Sequence, residues 1–322
     1  MPPRDAAGEK LRDLGYIQTS GSGYPASCHV IPKTRAVVTQ GMTNAFTVDL
    51  EDWFCSHNLR DVIPQEQWGS CDLRVVGSVR RILRLLKHFD VEATFFVLGW
   101  VAEKVPFLVR EIAERGHQIA THGYSHVPVT EMTPTSFEED LQRALEATER
   151  LIGRSVLGYR APVFTITSAT MWALDILRDH GIEYDSSVFP FGFHPEYGMP
   201  KAPLSPYRHS NSLVEVPLSC VEFARVRIPI SGGGYFRLFP YSVFKRLVEQ
   251  CNNSGRPVIF YLHPWEIDPH QPKVGVSGLR RFRHYNNLHK TFGRLERLLS
   301  DFRFTSIERI LHEEGLITWQ AA

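Results

Sequence analysis

Three things are scarce in this chain of 322 residues. Cysteine is the first. Cys28, Cys55, Cys71, Cys220 and Cys251 are scattered, odd in number and without a CxxC pair. That argues against a disulfide frame and fits reduced thiols in a reducing compartment. Charge of one sign is the second: 36 Lys and Arg against 35 Asp and Glu leave a net +1. Nothing there points to nucleic acid or to an anionic lipid surface. The third is a long apolar run. No stretch is long enough to span a bilayer as a helix, and the opening MPPRDAAGEK lacks the apolar segment of a secretory signal. The expectation is a soluble, cytoplasmic protein, with peripheral membrane association and a homo-oligomer left open.

What is present is a large core: 43% of residues are hydrophobic. Residues 1–42 are rich in Gly, Ser, Pro and charge and read as an irregular tail. From Ala45 the text alternates. AFTVDL (45–50) reads as a buried strand and VVGSVRRILRLLKHF (75–89) as an amphipathic helix. ATFFVLG (93–99) is a strand and FLVREIAERG (107–116) a helix. HQIATHG, SVLGYRAP and IEYDSS read as strands, separated by helices that open at Pro134 and at Ser168. Strand and helix alternating in this way favour parallel βαβ units, and their number suits a distorted (β/α) barrel. We expect the barrel over residues 43–268, including a glycine-rich turn at SGGGYFR (231–237), and a helical extension of the same domain over 269–322.

In barrels of this kind chemistry collects at the C-terminal ends of strands. Here those ends carry, in order, Asp49, Glu51 and Asp52; His122 and His126; Arg160; Asp185; and His263. An HxxxH pair by itself is often two loop residues. This pair follows a strand, and two imidazoles with one carboxylate make a common catalytic zinc set. DLED (49–52) offers the carboxylate, with Asp49 and Asp52 as first choices and Glu51 close behind as ligand. A metal hydrolase also needs a free acid to take a proton from water. His263, in LHPWE, suits the protonation of a leaving group; alone it would be a histidine packed on Trp265. Asp185 suits holding that imidazole, or else capping a turn. Arg160 suits a two-pronged grip on the base carboxylate, or else a structural ion pair. Trp53, Phe164, Tyr235 and Trp265 adjoin these motifs and suit sugar stacking, although most aromatic side chains are core. The basic run RRFRHY (280–285) reads as a solvated helix face.

TVDLED, THGYSH, RAPVF, YDSSVFP and FYLHPWE, in that order, resemble the five motifs of the carbohydrate esterase family 4 polysaccharide deacetylases, the NodB-homology group. GGGYFR, FYLHPWEID and RFRHYNNL are similar to a subgroup with a C-terminal extension, linked to exopolysaccharide and exosortase gene clusters. The resemblance implies a distorted (β/α) barrel, a divalent metal (usually zinc) and hydrolysis of N-acetyl groups from a hexosamine-containing glycan. It implies that Asp49 is the base, that His122 and His126 hold the metal and that Arg160 orients the base. It further implies that Asp185 tunes His263 as general acid, and that the backbone N–H near Val163 helps hold the oxyanion. Many members have adjacent aspartates in the first motif where this chain reads Asp-Leu-Glu-Asp, so the ligand is Glu51 or Asp52. Two alternatives stand beside this one: an allantoinase-like amidohydrolase on a small amide or ureide, and a non-catalytic carbohydrate-binding relative.

Overall fold

The strand TNAFTVDL, β1 (Thr43–Leu50), is buried at seven of its eight positions. Such burial requires a central place in a sheet covered on both faces. The computed structural model, which describes residues 41–192, 197–224 and 226–318, puts it there. The irregular tail expected over 1–42 lies almost wholly outside the described residues.

β1 is followed by β2 (Thr94–Val97), β3 (Gln118–Thr121), β4 (Gly158–Tyr159), β5 (Tyr184–Asp185), β6 (Tyr207–Arg208) and β7 (Val214–Glu215). A separate hairpin, β8 (Cys220–Phe223) with β9 (Val226–Pro229), precedes β10 (Ile259–Leu262) and β11 (Arg303–Thr305). The sheet order is β10-β1-β2-β3-β4-β5-β7-β6, with β11 also on β1. Every pairing in it is parallel except β6 with β7. The sheet curls into a half-barrel wrapped by helices, the distorted (β/α) barrel of the sequence reading.

The helices are α1 (Val75–Phe89), α2 (Gly99–Lys104), α3 (Pro106–Glu114), α4 (Pro134–Ile152), α5 (Ala173–Asp179), α6 (Gly233–Leu238), α7 (Tyr241–Asn253), α8 (Gly278–Tyr285), α9 (Leu288–Asp301) and α10 (Ile307–Glu313). In α1, Val75, Val79, Ile82, Leu83 and Leu86 form the buried stripe, as their spacing requires. Among the described residues no helix is long and apolar enough to cross a membrane.

Two elements differ from the sequence expectation and a third is more finely divided, each for a local reason. The helix expected from Ser168 starts at Ala173. Ahead of it Thr170 Oγ1 accepts from Thr167 N (2.8 Å) and donates to Thr165 O (2.8 Å), a side-chain alternative to helical bonding. The helical extension is divided within 279–302, where α8 ends and α9 begins. Asn287 sits between them at φ 54°, a conformation asparagine tolerates, and its Nδ2 donates to Arg237 O at 2.9 Å. SGGGYFR is a helix start rather than a turn. A Cβ on Gly232 would lie 2.3 Å from Tyr261 Oη, and one on Gly233 would lie 2.0 Å from Glu266 Oε2. Glycine is needed for α6 to lie this close to β10 and the turn that follows it.

Asp185 and Glu215 face each other across β5 and β7, both fully buried. Burial pushes both carboxyls up, Glu215 to about 7 and Asp185 well above its ordinary range, the latter helped by the charge of Glu215. His209 Nε2 lies 3.5 Å from Glu215 Oε2, and burial holds that imidazole down. The folded protein therefore keeps carboxyl protons that the unfolded chain releases near 4.5 for glutamate. That stability is present at low pH and is lost as pH rises through about 7, with a slope of about 1.4 kcal/mol per pH unit for one proton. Denaturant titrations between about pH 5 and 8 should show this fall, and Glu215→Gln should flatten it. An unchanged slope in the variant would remove the pair as its source.

Candidate active site

The end of β1 turns sharply, with Glu51 N donating to Asp49 O at 2.9 Å, and the turn sends its three acids to different places. Asp49 Oδ1 accepts from Arg160 Nη1 at 2.7 Å. Glu51 Oε1 lies 3.0 Å from His126 Nε2, 3.4 Å from His122 Nε2 and 3.4 Å from His263 Nε2. Asp52 points the other way. Its Oδ1 accepts from Trp53 N (2.8 Å), and its Oδ2 accepts from Arg74 N (2.7 Å) and Val75 N (2.9 Å). The expectation of Asp52 as a metal ligand is therefore corrected. Its oxygens satisfy N–H groups at the start of α1 and of a one-turn 3-10 helix, Trp53–Cys55, groups that would otherwise be orphaned. Burial lifts its pKa to about 6 against the pull of those donors.

The two histidines of THGYSH come from the loop after β3. Gly123, at φ 70°, turns the chain where a Cβ would meet Asp140 Oδ2 at 2.9 Å. Asp140, on α4, then receives Tyr124 N (2.7 Å) and Ser125 N (2.9 Å) and also bonds Ser125 Oγ. His126 itself takes φ 59°, a strained choice for a residue with a side chain. The result is two rings with centroids 5.3 Å apart. His122 Nδ1 donates to Arg160 O at 2.7 Å. The carbonyl can only accept, so the tautomer is fixed and Nε2 is left for the site.

Glu51, His122 and His126 offer three donor atoms within 4.8 Å of one another. All three are buried, and two imidazoles with one carboxylate fit a divalent cation with an open position. Burial raises the pKa of Glu51, but the charges of His126 and His263 and the hydrogen bonds of His122 and His126 outweigh it and hold the group well below its usual range.

On one side of this set stands Asp49 with Arg160. The guanidinium is fully buried, and its grip differs from the two-pronged contact expected. Only Nη1 reaches Asp49, while Nη2 donates to Ser186 Oγ (3.0 Å) and Nε to Ser186 O (3.1 Å). On the other side stands His263, its Nε2 3.9 Å from Asp49 Oδ2. Its Nδ1 lies 3.2 Å from Glu266 Oε2, which also accepts His263 N at 2.9 Å. Glu266 Oε1 accepts from Arg237 Nε at 2.8 Å. Burial lowers the pKa of His263, but Glu51, Glu266 and Asp49 outweigh it and lift it to about 9. Burial would raise Glu266, yet Arg237 and His263 bring it to about 2.

Glu266 therefore does what was expected of Asp185, and that expectation is corrected. Asp185 Oδ1 accepts from Ser187 Oγ at 2.5 Å, and Ser187 Oγ accepts from Ala161 N at 2.7 Å. Through Ser187 the carboxyl supports the 160–163 loop. Trp53 is corrected too. It is buried, donates Nε1 to Asp72 O at 3.0 Å and packs on Phe54. Val163, Phe164, Tyr235 and Trp265 do line the cavity of about 430 Å³ that holds Asp49, Glu51, His122, His126 and His263. Val163 and Phe164 both take φ near 56°, a costly pair of positions. Trp265 stacks under His263 at 5.0 Å and on His284 at 4.4 Å. Sequence reasoning missed the roles of Glu266 and Arg237. The available signal was the three-residue spacing in HPWE and an arginine placed beside a glycine run.

Residues 70–184 match the polysaccharide deacetylase family model, and residues 186–312 match a domain of unknown function, DUF3473. A peptidoglycan deacetylase of Helicobacter pylori is 32% identical over 37% of this chain and 40% of its own length. A peptidoglycan-N-acetylglucosamine deacetylase of Bacillus cereus is 35% identical over 30% of this chain and 35% of its own. The chain thus spans less than half the length of these relatives. A crystal structure from Mycobacterium smegmatis, described as a candidate polysaccharide deacetylase, superimposes with a TM-score of 0.56 at 20% identity, covering 89% of this chain and 96% of that one. It shares the fold. The similarity to polysaccharide deacetylases thus rests on residues 70–184, about a third of the chain.

The geometry separates the acids of the first motif. Glu51→Gln should lower the affinity for an added divalent cation by about 100-fold. Asp52→Asn should keep the metal and lose about 1–2 kcal/mol of stability. Metal content after dialysis and denaturant unfolding check both, and equal metal loss in the two variants would refute the assignment.

Proposed function

We propose that this polysaccharide deacetylase homologue hydrolyses N-acetyl groups from hexosamine residues of a polysaccharide, in exopolysaccharide biosynthesis or modification. The single observation that carries the reading is the buried Glu51/His122/His126 set, flanked by Asp49 with Arg160 and by His263 with Glu266. Glu51, His122 and His126 would hold a divalent cation, zinc by the donor chemistry. Its contribution when bound is Lewis acidity toward the acetamide carbonyl and toward water.

The chain's own groups divide the proton work. Asp49 takes the proton from the attacking water, its carboxylate fixed through Oδ1 by Arg160. The water oxygen bonds to the carbonyl carbon. The C–N bond then breaks and its electron pair stays with nitrogen, where His263 Nε2 delivers a proton. Acetate and the free amine result. Glu266 holds His263 Nδ1 and keeps the ring charged. The part of that pull due to Glu51 is what a bound cation would cancel, whereas the part due to Glu266 remains. Val163, in the cavity lining, is the backbone we assign to the oxyanion; one such donor is worth about 3–4 kcal/mol in other enzymes. Phe164, Tyr235 and Trp265 supply apolar walls suited to a sugar.

His126→Ala should lose metal and activity together. His263→Ala should keep metal and lose about 10²–10⁴-fold in turnover. The assay is acetate release from a panel of N-acetylated glycans beside small amides. Turnover of the small amides alone would replace this reading with the amidohydrolase one, and a His263→Ala enzyme of near-normal rate would take that residue out of the mechanism.

A further inference from the structure

The eight large apolar side chains most exposed among the described residues include Leu238 (49%), Leu279 (62%) and Phe282 (51%). All three line the same cavity as Glu51, His122 and His126, together with Arg283, Asn58 and Asn286. They come from α6 and α8, within the stretch that matches the domain of unknown function.

Their exposure is not the result of a loose helix. Arg237, itself buried, donates Nη1 to the carbonyls of His284 (3.2 Å) and Asn286 (2.6 Å), and Nη2 to that of Arg283 (2.8 Å). His284 is buried and joins Gln271 Oε1 (2.8 Å) and Ser56 Oγ (3.2 Å). Arg280 pairs with Asp61. The helix is clamped at several points and still presents a phenyl ring and a leucine to solvent, next to side-chain donors. Apolar faces bordered by amide and guanidinium N–H groups match a pyranose ring, which has a C–H face and a rim of hydroxyls.

We propose that Leu238, Leu279, Phe282 and Arg283 form a subsite for a second sugar of the substrate chain, next to the one whose acetamide reaches the reaction centre. The occupant is a glycan rather than a membrane, because these side chains border a concave cavity that leads to the reacting groups. A projecting face is what a bilayer would need, and α8 has only eight residues, with one of its arginines already paired. The inference rests on the proposed deacetylase reading and adds to it that the enzyme gains affinity from chain length.

The test compares N-acetylglucosamine dimer and tetramer with the full chain. In wild type kcat/KM should rise with length. Phe282→Ala should lose about tenfold on the tetramer and less than about twofold on the dimer. Leu279→Ala should follow in the same direction. Calorimetric binding of the tetramer to a His263→Ala protein, with and without Phe282→Ala, reads the subsite without turnover. Weaker binding in the double variant supports it even if no acetate is released from any glycan, which would sink the deacetylase reading alone. Equal losses on both lengths, or tetramer binding that does not depend on Phe282, overturns the subsite. So does loss of sedimentation with phosphatidylglycerol vesicles in Phe282→Ala when its length dependence is intact, which would assign the face to a membrane surface.

Discussion

A carboxylate that is 1% exposed must be matched by positive charge or give up its own. Glu51 is such a group, and its Oε1 has three imidazole nitrogens within 3.4 Å. Everything around the site follows from supplying and holding those three rings. His122 is fixed by a backbone carbonyl, and His126 by a strained backbone stabilised from α4. His263 is fixed by Glu266, which needs a counter-charge of its own and receives it from Arg237. Remove the buried acid and the reason for this chain of partners disappears.

The parallel topology makes the gathering possible. Neighbouring strands in a parallel sheet end on the same edge, so β10, β1, β3 and β4 deliver His263, the DLED turn, the HxxxH loop and Arg160 to one rim. The region matching the polysaccharide deacetylase model supplies the two histidines and the arginine. Asp49 and Glu51 lie before it. His263, Glu266 and Arg237 lie in the domain of unknown function. That domain is not an appendage to the site. It carries the histidine assigned as acid, the pair that charges it, and the outer wall at α6 and α8. The glycines of SGGGYFR belong to this arrangement, since they let α6 lie against the Glu266 carboxylate.

The sequence was readable where local chemistry dominates. The stripe of α1, the strand β1, the HxxxH loop and the order of polar strand ends could all be found from periodicity and turn residues. It was ambiguous where three acids fall in four positions. Glu51 and Asp52 are one bond apart in sequence, and what separates them is which way the chain turns after β1 and whether a helix start nearby needs an acceptor. Asp185 read as the partner of His263 because both follow strands. The competing carboxylate, Glu266, stood three residues from the histidine all along. Trp53 adjoins the acidic turn in sequence and faces the core in space.

By itself, then, the sequence determined the alternation of strand and helix, the residue types of a metal-hydrolase site and their order along the sheet rim. These depend on short-range preferences and on a hydrophobic period. Only the tertiary structure decided which acid meets the histidines, which carboxylate charges His263 and which exposed side chains border the cavity. Each of those is a choice between near neighbours in sequence, and it is settled by contacts between segments up to about two hundred residues apart, where burial makes one pairing affordable and the others not.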